Sequence, residues 1–123
     1  MIAAEDASFY LHKGLDYLAI KEALIYDLQQ KRLARGASTI PQQLAKNLYL
    51  SRDKSILRKL REVVLAVRME KLLSKDRILE LYLNVVELGP LVYGFGDGAW
   101  YHFDQPVEEL SPAQSAMLAA ILP

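Results

Sequence analysis

Two carboxylates stand side by side near the start of the chain, Glu5 and Asp6, followed by Phe9, His12 and Gly14. Neighbouring side chains on a helix diverge, so these two do not share a proton. One is expected to face a site while the other caps or pairs structurally. Ala3, Ala4 and Ala7 surround Glu5 with small side chains, which leaves room for a substrate to approach that carboxylate. A solvated Glu5 fits the residues equally well. His12, followed by Lys13 and Gly14, reads as a helix C-terminus where a basic group meets the negative dipole end, a structural role.

A second group runs from Gly36 to Asn47. A glycine-led turn feeds a helix start carrying two hydroxyls, Ser38 and Thr39, and two amides, Gln42 and Gln43, with Lys46 and Asn47 farther along. Free backbone amides at a helix start favour anions, and hydroxyls and amides hold sugar hydroxyls or phosphate oxygens. A capped helix with a polar surface accounts for Ser38 and Thr39 but leaves the other four unexplained. The third group is Arg58, Lys59 and Glu62, in which Arg58 and Glu62 are spaced to pair on one helix face. Five apolar residues follow, Val63 to Val67, and predict a helix segment covered on most sides. Glu62 then lies at the margin of a buried segment beside cations. A carboxylate there is paired or shifted, which makes it a functional candidate with structural ion pairing as the competing account. The fourth group, Lys75 to Asn84, is an amphipathic helix whose apolar residues read as scaffold.

The elements that position these groups are predicted to be nearly all helical. Apolar residues from Tyr17 to Leu33 recur on one face of a helix over 17–33. Arg35-Gly36-Ala37 breaks it, Ser38 or Thr39 caps the next helix, and Pro41 falls in its first turn. A third helix spans Ser55 to Leu73, and Ser74 caps a fourth that ends near Asn84. A loop containing Gly89, Pro90, Gly94, Gly96 and Gly98 follows, and Ser111, Pro112 and Gln114 mark the start of a last helix. No strand pairing, internal repeat or low-complexity linker is evident. The expectation is one all-α domain over residues 1–123, with further packing elements of the parent protein outside both ends.

With 123 residues and 52% apolar content the chain supports one core. Cysteine is absent, which removes disulfides, thiolate nucleophiles and iron–sulfur ligation, and His12 and His102 are too far apart for a local metal motif. No run approaches the length of a membrane span. The net charge of zero conceals a block from Lys31 to Arg61 with nine basic residues and one acidic, against seven acidic and one basic from Asp76 to Glu109. The basic block suggests a face that meets phosphate, nucleic acid or anionic lipid, with a solvated helical surface as the plainer account.

Taken in order, the four groups resemble the glycosyltransferase family 51 domain of peptidoglycan polymerases, found in monofunctional transglycosylases and class A penicillin-binding proteins. The family pattern Glu-Asp-x-x-Phe-x-x-His-x-Gly runs from Glu5 to Gly14, and Gly-x-Ser-Thr-Ile-x-Gln-Gln-x-x-Lys-Asn from Gly36 to Asn47. Arg-Lys-x-x-Glu is Arg58 to Glu62, and Ile-Leu-Glu-x-Tyr-Leu-Asn is Ile78 to Asn84. Val86 to Gly94 looks more like the monofunctional enzymes. A fifth family motif, an alanine-rich helix ending in Tyr-Phe, is altered: Asp97 and Gly98 replace alanines and His102 stands where tyrosine is usual. Two glycines in a helix interior cost about 1 kcal/mol each relative to alanine, which bears on local stability more than on chemistry.

The resemblance implies a lysozyme-like helical fold and polymerisation of lipid II on a growing lipid-linked glycan strand. The acceptor hydroxyl attacks the donor anomeric carbon, undecaprenyl pyrophosphate leaves, and configuration inverts. It further implies Glu5 as the base, with Lys46, Lys54 and Arg58 toward pyrophosphate, Lys59 among the substrate-binding residues, and Glu62 orienting those cations or assisting at the leaving group. Lys54 stands where the family often has arginine, which keeps the charge but loses the bidentate fork. Ser38, Thr39, Gln42, Gln43 and Asn47 would shape the donor side. No cofactor is required, although a divalent cation, Mg²⁺ or Mn²⁺, often supports pyrophosphate departure. The implied location is the outer face of the bacterial cytoplasmic membrane, with an N-terminal anchor that this chain does not include. Leu48, Tyr49, Leu50, Ile56 and Leu57 would meet the lipid interface. Two alternatives stand: a catalytically impaired lysozyme-like relative that binds glycan or lipid II, and a helix-turn-helix nucleic-acid binder over Thr39 to Val63. The second leaves Glu5 to Gly14 unexplained, and the favoured reading has no nucleic-acid partner.

Overall fold

The computed structural model describes residues 1–13, 38–50 and 55–122. The helix expected over 17–33, the break at Arg35-Gly36-Ala37 and Lys54 lie outside those residues. Within them the chain forms α1 (Ile2–Glu5), α2 (Ile40–Tyr49), α3 (Ile56–Leu72), α4 (Lys75–Val85), β1 (Glu87–Gly89), β2 (Val92–Tyr93), α5 (Gly94–Phe103), a 3₁₀ turn at Val107–Glu109, and α6 (Pro112–Ile121). The all-α expectation therefore holds, with one small hairpin added.

Four of the helices start on a hydroxyl. Thr39, Ser55, Ser74 and Ser111 each accept from a backbone N–H of the first turn, that of Gln42, Arg58, Arg77 and Gln114 respectively. Such a bond satisfies one of the donors that a helix start leaves unpaired. At Thr39 and Ser111 the glutamine three residues on returns the bond to the cap's own N–H, and Pro41 and Pro112 occupy first-turn positions where no donor is missed. The choice between Ser38 and Thr39 falls to Thr39.

α2 packs against α3 and α4, and α4 passes the chain to the hairpin and α5. The core gathers Phe9, Ile40, Leu44, Ala45, Met69, Ile78, Tyr82, Val86, Leu88 and Val92. Burying each large apolar side chain is worth about 1.5–3 kcal/mol, so this cluster fixes α2 against α4 and the Phe9 turn. Lys75 Nζ lies 4.7 Å from the Phe9 ring centroid and closes the edge of that cluster with its charge.

Three expectations need correction, and one altered position gains a structural reason. First, the glycine-rich stretch is not a loop. Glu87 and Gly89 pair antiparallel with Tyr93 and Val92, and α5 begins directly at Gly94. The strands are too short to display alternation, but Leu88 and Val92 both turn inward. Gly94 has φ +81°, and a Cβ there would lie 2.6 Å from the Asn84 carbonyl oxygen. Glycine is required at that junction by both conformation and space. Second, His102 has a structural reason for its presence: its Nε2 donates to the Leu88 carbonyl at 2.6 Å, tying α5 to the hairpin. Third, α1 is a single turn, so His12 does not end a helix; its ring is held by Asp6 instead. Fourth, Val63 to Val67 is not covered on most sides, because only Ala66 is buried and Val64 is 53% exposed.

Candidate active site

Asp6 anchors the site. Its buried carboxylate meets His12 Nε2 at 2.8 Å (Oδ1) and 2.9 Å (Oδ2), and Oδ2 accepts from the Ile40 N–H at 2.9 Å. Ile40 is the first residue of α2, so Asp6 satisfies a donor of the helix start and lies at the positive end of its dipole. An ionised carboxylate only accepts, so His12 Nε2 carries the proton. On the far side of the ring, Nδ1 lies 3.5 Å from Lys75 Nζ, and Lys75 is itself paired with Glu70. The one-turn helix α1 is thereby fastened to α2, and Glu5 comes with it.

Glu5, half-buried, accepts at Oε2 from Gln43 Nε2 at 3.0 Å. Gln43 sits four positions after Thr39, and its Nε2 also faces the Ser38 carbonyl at 3.3 Å. Its Oε1 accepts from the Tyr82 hydroxyl at 2.9 Å. Tyr82 projects from α4 through the core, and burial, followed by the charge of Glu5, raises its phenol well above the ordinary value of 10.0. The phenol therefore stays protonated and donates.

Ser38 joins this arrangement to the cations of α3. Its hydroxyl accepts from Lys59 Nζ at 2.6 Å, and Lys59 reaches Glu62 Oε2 at 2.9 Å. Arg58 takes the other oxygen of Glu62. Glu62 is 2% exposed, whereas Lys59 remains accessible, so the carboxylate aligns two cations from beneath. Among the described residues Arg58 Nε is buried with no hydrogen-bond partner. Lys46 and Asn47 continue along α2, Asn47 exposed, and neither side chain is engaged by other described residues.

Of the residues expected from the sequence, Glu5, Ser38, Gln43, Arg58, Lys59 and Glu62 are thus linked through hydrogen bonds and ion pairs. Thr39 and Gln42 are a different case. Both are buried at 2% exposure and bonded to each other as helix cap and return bond, so they build the wall of the site. Tyr82 was missed, because helical periodicity assigns it to the scaffold along with Ile78. The available signal was that a buried tyrosine hydroxyl needs a partner. A structural role was expected of His12 and of one of the two adjacent carboxylates, but their pairing with each other and the grip of Asp6 on α2 depend on tertiary placement.

Beside the cations, an apolar groove of about 350 Å³ is lined by Tyr49, Leu50, Leu60, Arg61, Val64 and Leu65. Ile56, Leu57 and Leu60 are exposed on the same helix. Among the described residues no helix is long and apolar enough to cross a membrane. Nor is there among them a group of three or more His, Asp or Glu side chains arranged to hold a metal ion.

The whole chain, residues 1–123, matches the Transglycosylase family. It is 51% identical over 122 residues to a biosynthetic peptidoglycan transglycosylase of Nitrosomonas eutropha, covering 99% of this chain and 50% of that protein. A biosynthetic peptidoglycan transglycosylase of Nitrosospira multiformis is 48% identical over 123 residues, with 100% and 54% covered. Penicillin-binding protein 1A of Neisseria lactamica is 46% identical over 121 residues, with 98% of this chain and 15% of that protein covered. The chain spans about half the length of the first two.

Proposed function

The chain belongs to the Transglycosylase family, and from that membership we propose that it carries the catalytic centre of a peptidoglycan glycosyltransferase that polymerises lipid II. The observation that carries this reading is the placement of half-buried Glu5 in one bonded network with Ser38, Lys59, Glu62 and Arg58. A base and a cation cluster are what the reaction needs at its two ends.

Glu5 takes the proton of the acceptor's sugar hydroxyl as that oxygen attacks the donor anomeric carbon. The bond to the diphosphate breaks on the opposite face, so configuration inverts and undecaprenyl pyrophosphate departs. A positioned base typically contributes roughly 10²–10⁴-fold. Lys59 and Arg58, aligned by Glu62, stabilise the charge that develops on the diphosphate. The unpartnered Arg58 Nε supports that role, because a buried donor without a partner gains most from an incoming anion. Lys46 and Asn47 extend the donor side along α2, while Lys54, outside the described residues, is assigned toward the pyrophosphate from the family pattern alone. Among the described residues no side-chain group is arranged to hold Mg²⁺ or Mn²⁺, so a divalent cation would enter only with the diphosphate substrate, whose charge it would help to neutralise. The exposed apolar residues of α3 and the neighbouring groove suit the polyprenyl chain and the outer face of the cytoplasmic membrane. The growing glycan strand is the second substrate.

The test is polymerisation of lipid II in detergent, read as glycan length, by the parent chain and by Glu5→Gln. Product from the parent and a loss of at least about 100-fold in the variant is the expected result. Undiminished polymerisation by Glu5→Gln would remove Glu5 as the base.

A further inference from the structure

We infer that Tyr82 is a positioning residue for the Glu5 carboxylate, acting through the side-chain amide of Gln43; this rests on the reading of Glu5 as the base. The orientation of that amide is forced by its neighbours. Gln43 Nε2 faces the Glu5 carboxylate at 3.0 Å and the Ser38 carbonyl at 3.3 Å, and both of these groups only accept. The amide nitrogen must therefore point toward them, and Oε1 must point toward Tyr82. The Tyr82 hydroxyl, 2.9 Å away, then has to donate. Its buried, protonated state suits it to that single task.

Without Tyr82 the amide has no such anchor. A glutamine side chain turns about its last torsion, and a turned amide would aim Oε1 at the carboxylate. The donor that favours the ionised Glu5 would become a repelling dipole. Tyr82 touches no substrate in this arrangement. It is fully buried, packs with the core and reaches the site only through Gln43. Three helices meet in this link, with Glu5 closing α1, Gln43 on α2 and Tyr82 on α4. The core that holds the fold thereby sets the direction of one hydrogen-bond donor at the carboxylate.

The test is Tyr82→Phe, which deletes one oxygen and leaves the packed ring. The Gln43 side-chain amide is followed by nitrogen-15 NMR, assigned by comparison with Gln43→Met. In Tyr82→Phe its resonance should shift or broaden as the amide gains a second orientation. kcat for lipid II should fall about tenfold with KM unchanged, because a donor at the carboxylate is lost and no substrate contact is. A merely structural loss would lower the amount of active protein and leave the amide resonance of the folded fraction in place. Gln43→Met should lower kcat at least as far, and Tyr82→Phe added to it should lower it no further. In the unaltered chain the Gln43 side-chain N–H protons should exchange slowly with solvent, a reading that needs no variant to fold. An unmoved Gln43 amide resonance in folded Tyr82→Phe, or rapid exchange of those protons, overturns the role of Tyr82 while an inactive Glu5→Gln keeps the base. An active Glu5→Gln overturns both.

Discussion

Replacing Asp6 with alanine tests whether the site is held by the buried Asp6–His12 hydrogen-bonded pair and not by the one-turn helix that carries it. In the parent, the carboxylate receives His12 Nε2 at 2.8 and 2.9 Å and the Ile40 N–H at 2.9 Å, with both side chains almost wholly buried. Asp6→Ala strands the imidazole and the first N–H of α2 together. Each stranded buried donor costs about 1–3 kcal/mol, so the two together cost about 3–5 kcal/mol. With unfolding entropies near 2.1 cal/mol/K per residue over 123 residues, that cost lowers Tm by about 12–19 °C. Asp6→Asn keeps one acceptor oxygen and should lose about 1–3 kcal/mol. Urea unfolding followed by circular dichroism reads the difference as a lower midpoint at constant slope. A cycle with His12→Ala should give a coupling within about 0.5–3 kcal/mol. The reasoning is refuted if Asp6→Ala lies within about 1 kcal/mol of the parent, or if the two substitutions add independently.

Two further outcomes follow from the same geometry. Tyr82 should be among the last phenols to ionise when the folded chain is titrated by ultraviolet absorbance, because burial and then Glu5 hold its proton. The unfolded phenol releases its proton near pH 10, so the stability Tyr82 confers is present below that pH and declines as pH rises toward its folded value. Tyr82→Phe should lack both the late absorbance step and that part of the alkaline decline. Among the glycines of α5, Gly94→Ala should destabilise by about 2–3 kcal/mol through its left-handed conformation and the Asn84 carbonyl 2.6 Å from the new carbon. Gly96→Ala meets nothing within 4 Å in the same helix and should stabilise by about 0.5–1 kcal/mol. Thermal melts of the two variants check both signs, and equal effects would mean that α5 does not abut α4 as described.

What could be read from the residues was what depends on near neighbours. Four helix starts carry their own hydroxyl cap, and Ser74 and Ser111 could be placed without tertiary knowledge. The division of labour between Glu5 and Asp6 was also legible, since adjacent side chains on one turn cannot face the same way. Gln42 and Gln43 mark the limit. They are the same side chain one residue apart, yet one is spent on the Thr39 cap and the other reaches Glu5. Which does which depends on the angle at which α1 meets α2. The hairpin was missed because two short strands carry no period, and α5 because Gly94, Gly96 and Gly98 lower helix propensity locally. Tertiary packing offsets that loss, with Gly98 leaving room for Leu88 and His102 bonding its carbonyl. Val64 erred in the other direction, since an apolar run says nothing about what is present to cover it.

The bonds that assemble the site also join residues far apart along the chain. Glu5 and Gln43 are separated by 38 positions, Gln43 and Tyr82 by 39, Asp6 and Ile40 by 34, and Lys59 and Ser38 by 21. Closing a loop of that size carries an entropic cost of about 3 kcal/mol when taken alone. Helical turns form in about a microsecond from local contacts, whereas these closures require the helices to have already met. During refolding, helix content should accordingly return before the Glu5–Gln43 and Lys59–Ser38 bonds do. A ligand spanning Glu5 and the Arg58 cluster draws on all of these closures, so its binding acts in full to hold the chain folded.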